Sequence, residues 1–345
     1  MFRYSFTAAI AALGVLTTIG APTIASAAEP RLQRFQATEV HMAVSFAVVL
    51  YAPDQETANR AFDAAFARIA ELDRAMNDYN EESELSRLSL ASPTTEPVRL
   101  SDDLLAVLLR SQQMSEASRG AFDVTIGPLS KLWRRARRQQ QLPDADNLAE
   151  ARTAVGYRNL RLDEKARTAE LLKPNMRLDL GGIAKGYAAD EALATIARRG
   201  ITRAMVNGSG DMAIGDSPPD EPGWKVGIAP LEVDGPPSRF LRLKNCGIAT
   251  SGDAFQFVEI EGKRYSHIID PRTGLGLTDH SSVTVVARDG TTADALASAV
   301  SVMGPEAGMR LVEETPGAAA AIVRAPEGKV ETFASRRFDS LDQEP

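Results

Sequence analysis

Residues 176–215 read MRLDLGGIAKGYAADEALATIARRGITRAMVNGSGDMAIG. Met176–Gly182 reads as a short strand ending in a glycine pair. A helix follows from about Ile183 and stops at Gly200. From Arg203 to Gly215 the pattern is strand, glycine turn, strand. A hairpin placed directly after a helix breaks the regular βαβ rhythm of a parallel sheet. The expectation is therefore a mixed α+β chain built as two lobes.

The flanking sequence extends this reading. Upstream, Met42–Tyr51 (MAVSFAVVLY) predicts a buried strand, and Pro53-Asp54 starts a helix. Phe62, Phe66, Ile69, Leu72 and Met76 recur at three- and four-residue spacing and make one apolar face. Ser101 followed by Asp102 and Asp103 is a favourable helix start. Residues 134–141, RRARRQQQ, read as a solvated helix face or loop. Downstream, residues 223–230, 239–250 and 254–269 are strand-rich, with Glu261-Gly262-Lys263 as a hairpin turn. SSVTVVA at 281–287 is another strand. Thr291 or Thr292 is expected to cap a helix running to Met303, and Pro305 opens a further one. No internal repeat is visible. The expected domains are 1–27, 28–336 and a flexible charged tail at 337–345.

Arg3 is the only charge before Glu29, an apolar run follows it, and Ala25-Ser26-Ala27 is a small-residue cleavage site. That predicts a secretory signal peptide, removed near Ala27, and a periplasmic or otherwise exported protein. No later stretch is apolar enough to span a membrane. The net charge is −7, which argues against nucleic-acid binding. Cys246 is the only cysteine, so no intrachain disulfide exists, and its apolar neighbours make it a small buried hydrophobe.

Generic motifs are missing. There is no GxxxxGK[ST], no GxGxxG and no HExxH, and His41, His267 and His280 lack zinc-site spacing. NGSGD at 207–211 only approximates a serine-hydrolase elbow. Asp294 and Ser298 are four residues apart on a predicted helix and point from one face. A carboxylate and a hydroxyl are hard oxygen ligands of the kind Mg²⁺ accepts, though such a pair is also an ordinary helix surface. Gly181 and Gly182 precede a helix whose exposed amides can hold phosphate, or they simply form a tight turn. Residues 265–274, YSHIIDPRTG, gather a hydroxyl, an imidazole, a carboxylate and a guanidinium.

Taken in order, MNDYNEESELSRLS (76–89), GAFDVTIGPLSKLW (120–133), LDLGGIAKGYAAD (178–190), VNGSGDMAIG (206–215), GIATSGDAF (247–255), YSHIIDPRTG and TTADALASAVSVMG (291–304) closely resemble the ApbE family of FAD:protein FMN transferases. The resemblance runs from about Met42 to Val323. It implies the two-lobed ApbE fold, export, and FAD and Mg²⁺ as ligands. It also implies transfer of FMN to a Ser or Thr hydroxyl of an acceptor flavoprotein, such as a membrane redox-pump subunit, with release of AMP.

Matched by position, the resemblance places the metal on the Asp294 carboxylate, the Ser298 hydroxyl and the Gly182 carbonyl. Many relatives have Thr at Ser298, and some have a second carboxylate at Ala297. Tyr79 matches an aromatic at the flavin ring and Met42 an apolar dinucleotide contact. Ala121, Phe122 and Asp123 match a further dinucleotide contact, and Asp179 and Lys185 flank the glycine pair. Asp253, Ser266, His267 and Ile268 complete the implied set. His267 is the implied catalytic residue, accepting the acceptor's proton or orienting a phosphate; its alternative is a structural histidine tying strands together. Asp270 and Arg272 read as a structural turn pair. This chain departs from the pattern in three places. Ala43-Val44 stand where relatives show Gly-Thr, Ala254 displaces an aromatic, and RRARRQQQ replaces a glycine-rich segment. Two other functions share much of this site. A Mg²⁺-dependent FAD pyrophosphatase would use water as acceptor, and a non-enzymatic flavin-binding protein would not need Asp294 and Ser298 as metal ligands.

Overall fold

The computed structural model describes residues 31–344 except 229, 232–234, 238, 254–255 and 342. The expected signal peptide and Ala254 lie outside the described residues. An eight-stranded sheet runs through the chain, in spatial order β1 (Gln33–His41), β2 (Val44–Ala52), β6 (Ala204–Gly208), β7 (Asp211–Ile214), β10 (Cys246–Gly252), β13 (Ser281–Ala287), β14 (Ala319–Arg324) and β15 (Glu331–Ala334). Every neighbouring pair is antiparallel. Alternate side chains therefore serve two different cores. Phe46, Val48, Leu50, Val206, Val283 and Val285 share one cluster with the helices, while Val49, Ile214, Ile248 and Val286 share another.

The first face is covered by α1 (Gln55–Met76), α6 (Ala184–Ala197) and α7 (Gly290–Glu314). The five apolar α1 residues predicted to share a face are all buried. The Asp54 side chain caps that helix by accepting from the Thr57 amide at 2.7 Å. The second face is covered by a small sheet of β8 (Trp224–Ile228), β9 (Arg239–Leu243) and β16 (Gln343–Glu344). The two expected lobes are thus the two sides of one sheet within a single unit, Leu32–Pro345. Around the helical side lie α2 (Glu84–Leu90), α3 (Asp102–Ala117), α4 (Gly127–Gln139) and α5 (Ala145–Thr153), with a sheet of β3 (Val98–Arg99), β5 (Thr168–Leu171) and β4 (Leu160–Asp163). A hairpin of β11 (Phe257–Ile260) and β12 (Lys263–Ser266) packs with α4 through Val258, Tyr265, Trp133 and Ala136.

Several expectations are corrected. Met42 and Ala43 are not in a strand but form the tip of the β1–β2 hairpin, with φ of 50° and 61°. The positive φ at both central positions matches the twist of adjoining strands. Residues 176–180 form no strand; they make one bridge, Ile126 to Arg177, because they run beside the α4 entry loop. The cap of α7 is Asp289, not a threonine, since its carboxylate reaches the Thr292 amide at 2.7 Å. The expected break after Met303 is instead borne out: Gly304, at φ 75°, interrupts α7, and a second helical stretch continues from Pro305. The tail does not fray from 337. Arg336–Asp339 form α8, Phe338 is fully buried against the small sheet, and Gln343–Glu344 pair with β9. No helix among the described residues is long and apolar enough to cross a membrane.

Candidate active site

The centre of the site is the crossing of α6 over the start of α7. A Cβ on Gly186 would lie 2.2 Å from the Gly290 carbonyl oxygen and 2.9 Å from the Asp294 Cβ. Only glycine permits that approach. Asp190 fastens the crossing by accepting from the amides of Gly290 and Thr291, each at 2.8 Å, and from the Thr291 hydroxyl. Burial pushes the Asp190 carboxyl up to about 6. As a result the Gly186 amide donates to Asp294 Oδ2 at 3.1 Å. Ser298, one turn further along α7, faces Gly182: a Cβ there would sit 2.9 Å from Ser298 Oγ and 3.2 Å from the Phe122 ring. The structure therefore brings Gly182, Asp294, Ser298 and Phe122 together.

Lys185, in the first turn of α6, pairs with the carboxylate of Asp211. Burial alone would lower its pKa, but the charges of Asp294 and Asp211 outweigh burial and raise it. Burial raises the carboxyl groups of Asp211 and Asp294; at Asp211 the Asp294 charge adds to this, and Lys185 opposes it at both. Two buried carboxylates facing one ammonium leave an excess negative charge when all are ionised. Among the described residues, Asp294 Oδ1 and Ser298 Oγ make no hydrogen bond. An uncommitted carboxylate oxygen and hydroxyl on one helix face, opposite a glycine whose Cβ would fill the gap, suit a small hard cation. No group of three or more His, Cys, Asp or Glu among the described residues could hold a metal alone. A cation here would need substrate oxygens or water to complete its shell.

The aromatic side of the site is built by the end of α1. Asp73 accepts from the Met42 amide at 2.9 Å and from Asn77 Nδ2 at 3.0 Å, and Asn77 Oδ1 accepts from the Tyr79 amide at 2.9 Å. This chain of bonds ties the hairpin tip to Tyr79, a residue that is 71% exposed. Arg134 stacks on that ring, 4.0 Å from its centroid, and pairs with Asp78 at 2.6 Å and Asp179 at 3.1 Å. Burial and the nearby Asp179 charge raise the Asp78 carboxyl, against the pull of Arg134. Asp179 also accepts from the Gly181 amide at 2.9 Å, shaping the glycine turn. RRARRQQQ is therefore only partly solvated: Arg134 and Ala136 turn inward on α4.

His267 follows β12. Its amide donates to the Gln256 carbonyl at 3.0 Å, and its Nδ1 lies 3.1 Å from the same oxygen. A carbonyl can only accept, so Nδ1 carries the proton and Nε2 presents a lone pair. The ring is reached by solvent, yet enough protein surrounds it for desolvation to lower its pKa. Arg137 and Lys185 lower it further, against the Gln256 bond and Asp253. These influences favour the neutral ring, and Lys185 is close enough for its charge to be one of them. Buried Ser266 supports it by accepting from the Ile268 amide at 3.1 Å.

The carboxylates of Asp123 and Asp253 serve as anchors. Asp123 accepts from the Thr125 amide and hydroxyl at 2.8 and 2.7 Å and from the Tyr157 amide at 2.7 Å. Asp253 accepts from Arg264 at 2.5 Å, His280 at 2.8 Å and the Ser281 amide at 3.0 Å, tying the β11–β12 hairpin to the central sheet. Asp270 and Arg272 form a bidentate turn pair at 2.8 Å, as read from sequence. Cys246 is half-buried, and burial pushes its thiol up to about 11, so it is unreactive. Sequence reasoning passed over Asp211 and Arg134. Both lie beside residues it did single out: Asp211 closes NGSGD, and Arg134 directly follows Trp133.

Known proteins share this sequence pattern and fold. A model described as the ApbE family matches residues 38–323. The chain is 30% identical to the FAD:protein FMN transferase of Haemophilus influenzae over 295 residues, covering 83% of this chain and 85% of that one. It is 32% identical to the protein of the same name from Vibrio cholerae over 274 residues, covering 78% and 81%. Among solved structures, the flavin transferase ApbE from Vibrio cholerae superposes with a TM-score of 0.79 at 27% identity, covering 90% of this chain and all of that one. The ApbE protein from Thermotoga maritima gives the same values.

Proposed function

The chain belongs to the ApbE family, and we propose from that premise that it is an FAD:protein FMN transferase acting on a Ser or Thr hydroxyl of an exported acceptor flavoprotein. The acceptor oxygen attacks the phosphorus of the FMN half of FAD. The pyrophosphate bond to the AMP half breaks, and AMP leaves. His267 Nε2 accepts the hydroxyl proton. Lys185, kept protonated between Asp211 and Asp294, faces the pyrophosphate, and Tyr79 offers its exposed ring to the flavin. Met42, Ala121 and Phe122 provide apolar contact with the dinucleotide. Asp123, Asp179, Asp253, Ser266 and Ile268 hold the loops that present these groups. Mg²⁺, held by Asp294, Ser298 and the Gly182 carbonyl, would offset charge on the pyrophosphate. The protein's main contribution is positioning.

The observation that carries this reading is the convergence of uncommitted oxygens on Asp294 and Ser298 at Gly182, beside Lys185, whose charge also acts on the His267 ring. A site for flavin binding alone has no use for that pair. The test mixes protein, FAD and Mg²⁺ with and without a candidate acceptor, and measures AMP and protein-bound FMN. Equimolar AMP and bound FMN, dependent on acceptor, is the expected result. AMP with free FMN regardless of acceptor would instead establish a pyrophosphatase. Export is part of the proposal, and an N-terminus near Ala28 in the secreted fraction would support it.

A further inference from the structure

Helix α4 carries five cations, Lys131, Arg134, Arg135, Arg137 and Arg138, and no acid, within a chain of net charge −7. Their surroundings differ. Lys131, Arg135 and Arg138 are exposed to solvent. Arg134 is committed to Asp78 and Asp179. Arg137 is half-buried, and among the described residues it has neither a hydrogen bond nor an ion pair.

The position of Arg137 is fixed by its helix. Trp133, one turn earlier, donates its indole N–H to the Gly274 carbonyl at 2.7 Å and packs on Tyr265 with ring centroids 5.3 Å apart. Ala136 is buried in the same cluster. Those contacts press α4 against β12 and the turn beyond it, which deliver His267. Arg137 therefore sits on the inner side of α4, where its charge reaches the His267 ring together with that of Lys185. A partly desolvated guanidinium without a counter-charge is unfavourable until an anion meets it. The anion that the transferase reading brings to His267 and Lys185 is the dinucleotide's pyrophosphate.

We propose that Arg137 is a phosphate-binding residue of this site, its guanidinium holding a pyrophosphate oxygen of FAD across from Lys185. This rests on the transferase reading. A guanidinium can grip phosphate with two parallel N–H donors, which an ammonium cannot.

The experiment compares wild type with Arg137→Gln and Arg137→Lys by equilibrium binding of FAD, AMP and riboflavin without acceptor. Flavins are followed by fluorescence and AMP by competition. Arg137→Gln is expected to weaken FAD and AMP roughly ten- to hundredfold, the effect of losing a charged hydrogen-bonding partner, and to leave riboflavin, which has no phosphate, unchanged. Arg137→Lys should recover part of the loss. In Arg137→Gln the acid limb of kcat/KM should also move to higher pH, because one of the two positive charges that disfavour the protonated His267 ring is removed. Equal weakening of riboflavin and FAD would reduce Arg137 to a structural role and overturn the proposal. Unchanged FAD affinity with a raised KM for acceptor would assign it to the protein partner, and would overturn it equally. Binding is read without turnover, so absence of FMN transfer would defeat the transferase reading without deciding this one.

Discussion

Replacing His267 with alanine separates the catalytic role from the structural one, and the structure sets the size of each effect. The substitution removes the Nδ1 bond to the Gln256 carbonyl but keeps the backbone bond from residue 267 to the same oxygen. One neutral hydrogen bond contributes about 1 kcal/mol net, and a solvent-reached ring contributes little burial. The hairpin also remains tied by Asp253 to Arg264. The melting temperature should therefore fall by only about 2–4 °C, and FAD affinity should be nearly unchanged. Loss of a positioned general base lowers the rate by roughly 10²–10⁴-fold, equivalent to about 3–5 kcal/mol of transition-state stabilisation. The assays are flavin-fluorescence binding, calorimetric unfolding and covalent FMN on the acceptor under single-turnover conditions. In wild type, the acid limb of kcat/KM should lie below the ordinary imidazole value of about 6.5, since desolvation by the surrounding protein, Arg137 and Lys185 all favour the neutral ring. A variant that binds FAD poorly but transfers normally when saturated would refute the reasoning.

Three further outcomes follow from the same geometry. Asp294→Asn should abolish Mg²⁺-dependent transfer with the fold kept, whereas Ser298→Ala should lose less because water can replace a hydroxyl; unchanged turnover in Asp294→Asn ends the metal assignment. Ala43→Gly should raise stability by about 0.5–1 kcal/mol in denaturant titration, because Ala43 sits at φ 61° where glycine is unstrained, and a loss of stability would contradict the strain argument. Burial raises the Asp253 carboxyl, but the bonds from Arg264 and then His280 outweigh it and hold the group below the ordinary range. Its stabilisation is therefore present above about pH 4 and lost as pH falls through the lower folded value. The stability gap between wild type and Asp253→Asn should shrink on acidification below about pH 4, and a gap that widens there would show the sign to be wrong.

The helices were legible because each announces itself locally. Asp54 and Ser101 cap in the chain as they do in the sequence, and the α1 apolar face needs no distant partner to be recognised. The failures share a cause. Met42-Ala43 lacks the Asn-Gly signature of a tight hairpin, so the turn rests on the Asp73 bond to the Met42 amide, supplied from 31 residues away. Residues 176–180 have the composition of a strand but lie against the α4 entry loop instead of a ladder. The charged tail looked solvated because its apolar anchor is small, Phe338 with Leu341 packed against the same cluster.

The site was legible as a set of donors but not as a set of commitments. In sequence, Asp123, Asp253 and Asp294 are equivalent: each is an acid in a recognisable motif. In the fold they differ in how many donors point at them. Three reach Asp123, and Asp253 is enclosed by an arginine, a histidine and an amide. Asp294 receives one amide and keeps an oxygen free. A carboxylate whose lone pairs are filled anchors a loop; one with a lone pair left over, buried and facing a cation, is poised to bind. That distinction depends on which amides the folded backbone turns toward each acid. For Asp294 it depends on Gly186 and Gly182, whose missing side chains let α6 and α7 meet. The glycines in LDLGGIAKG therefore carry as much of the site's chemistry as the acid they approach.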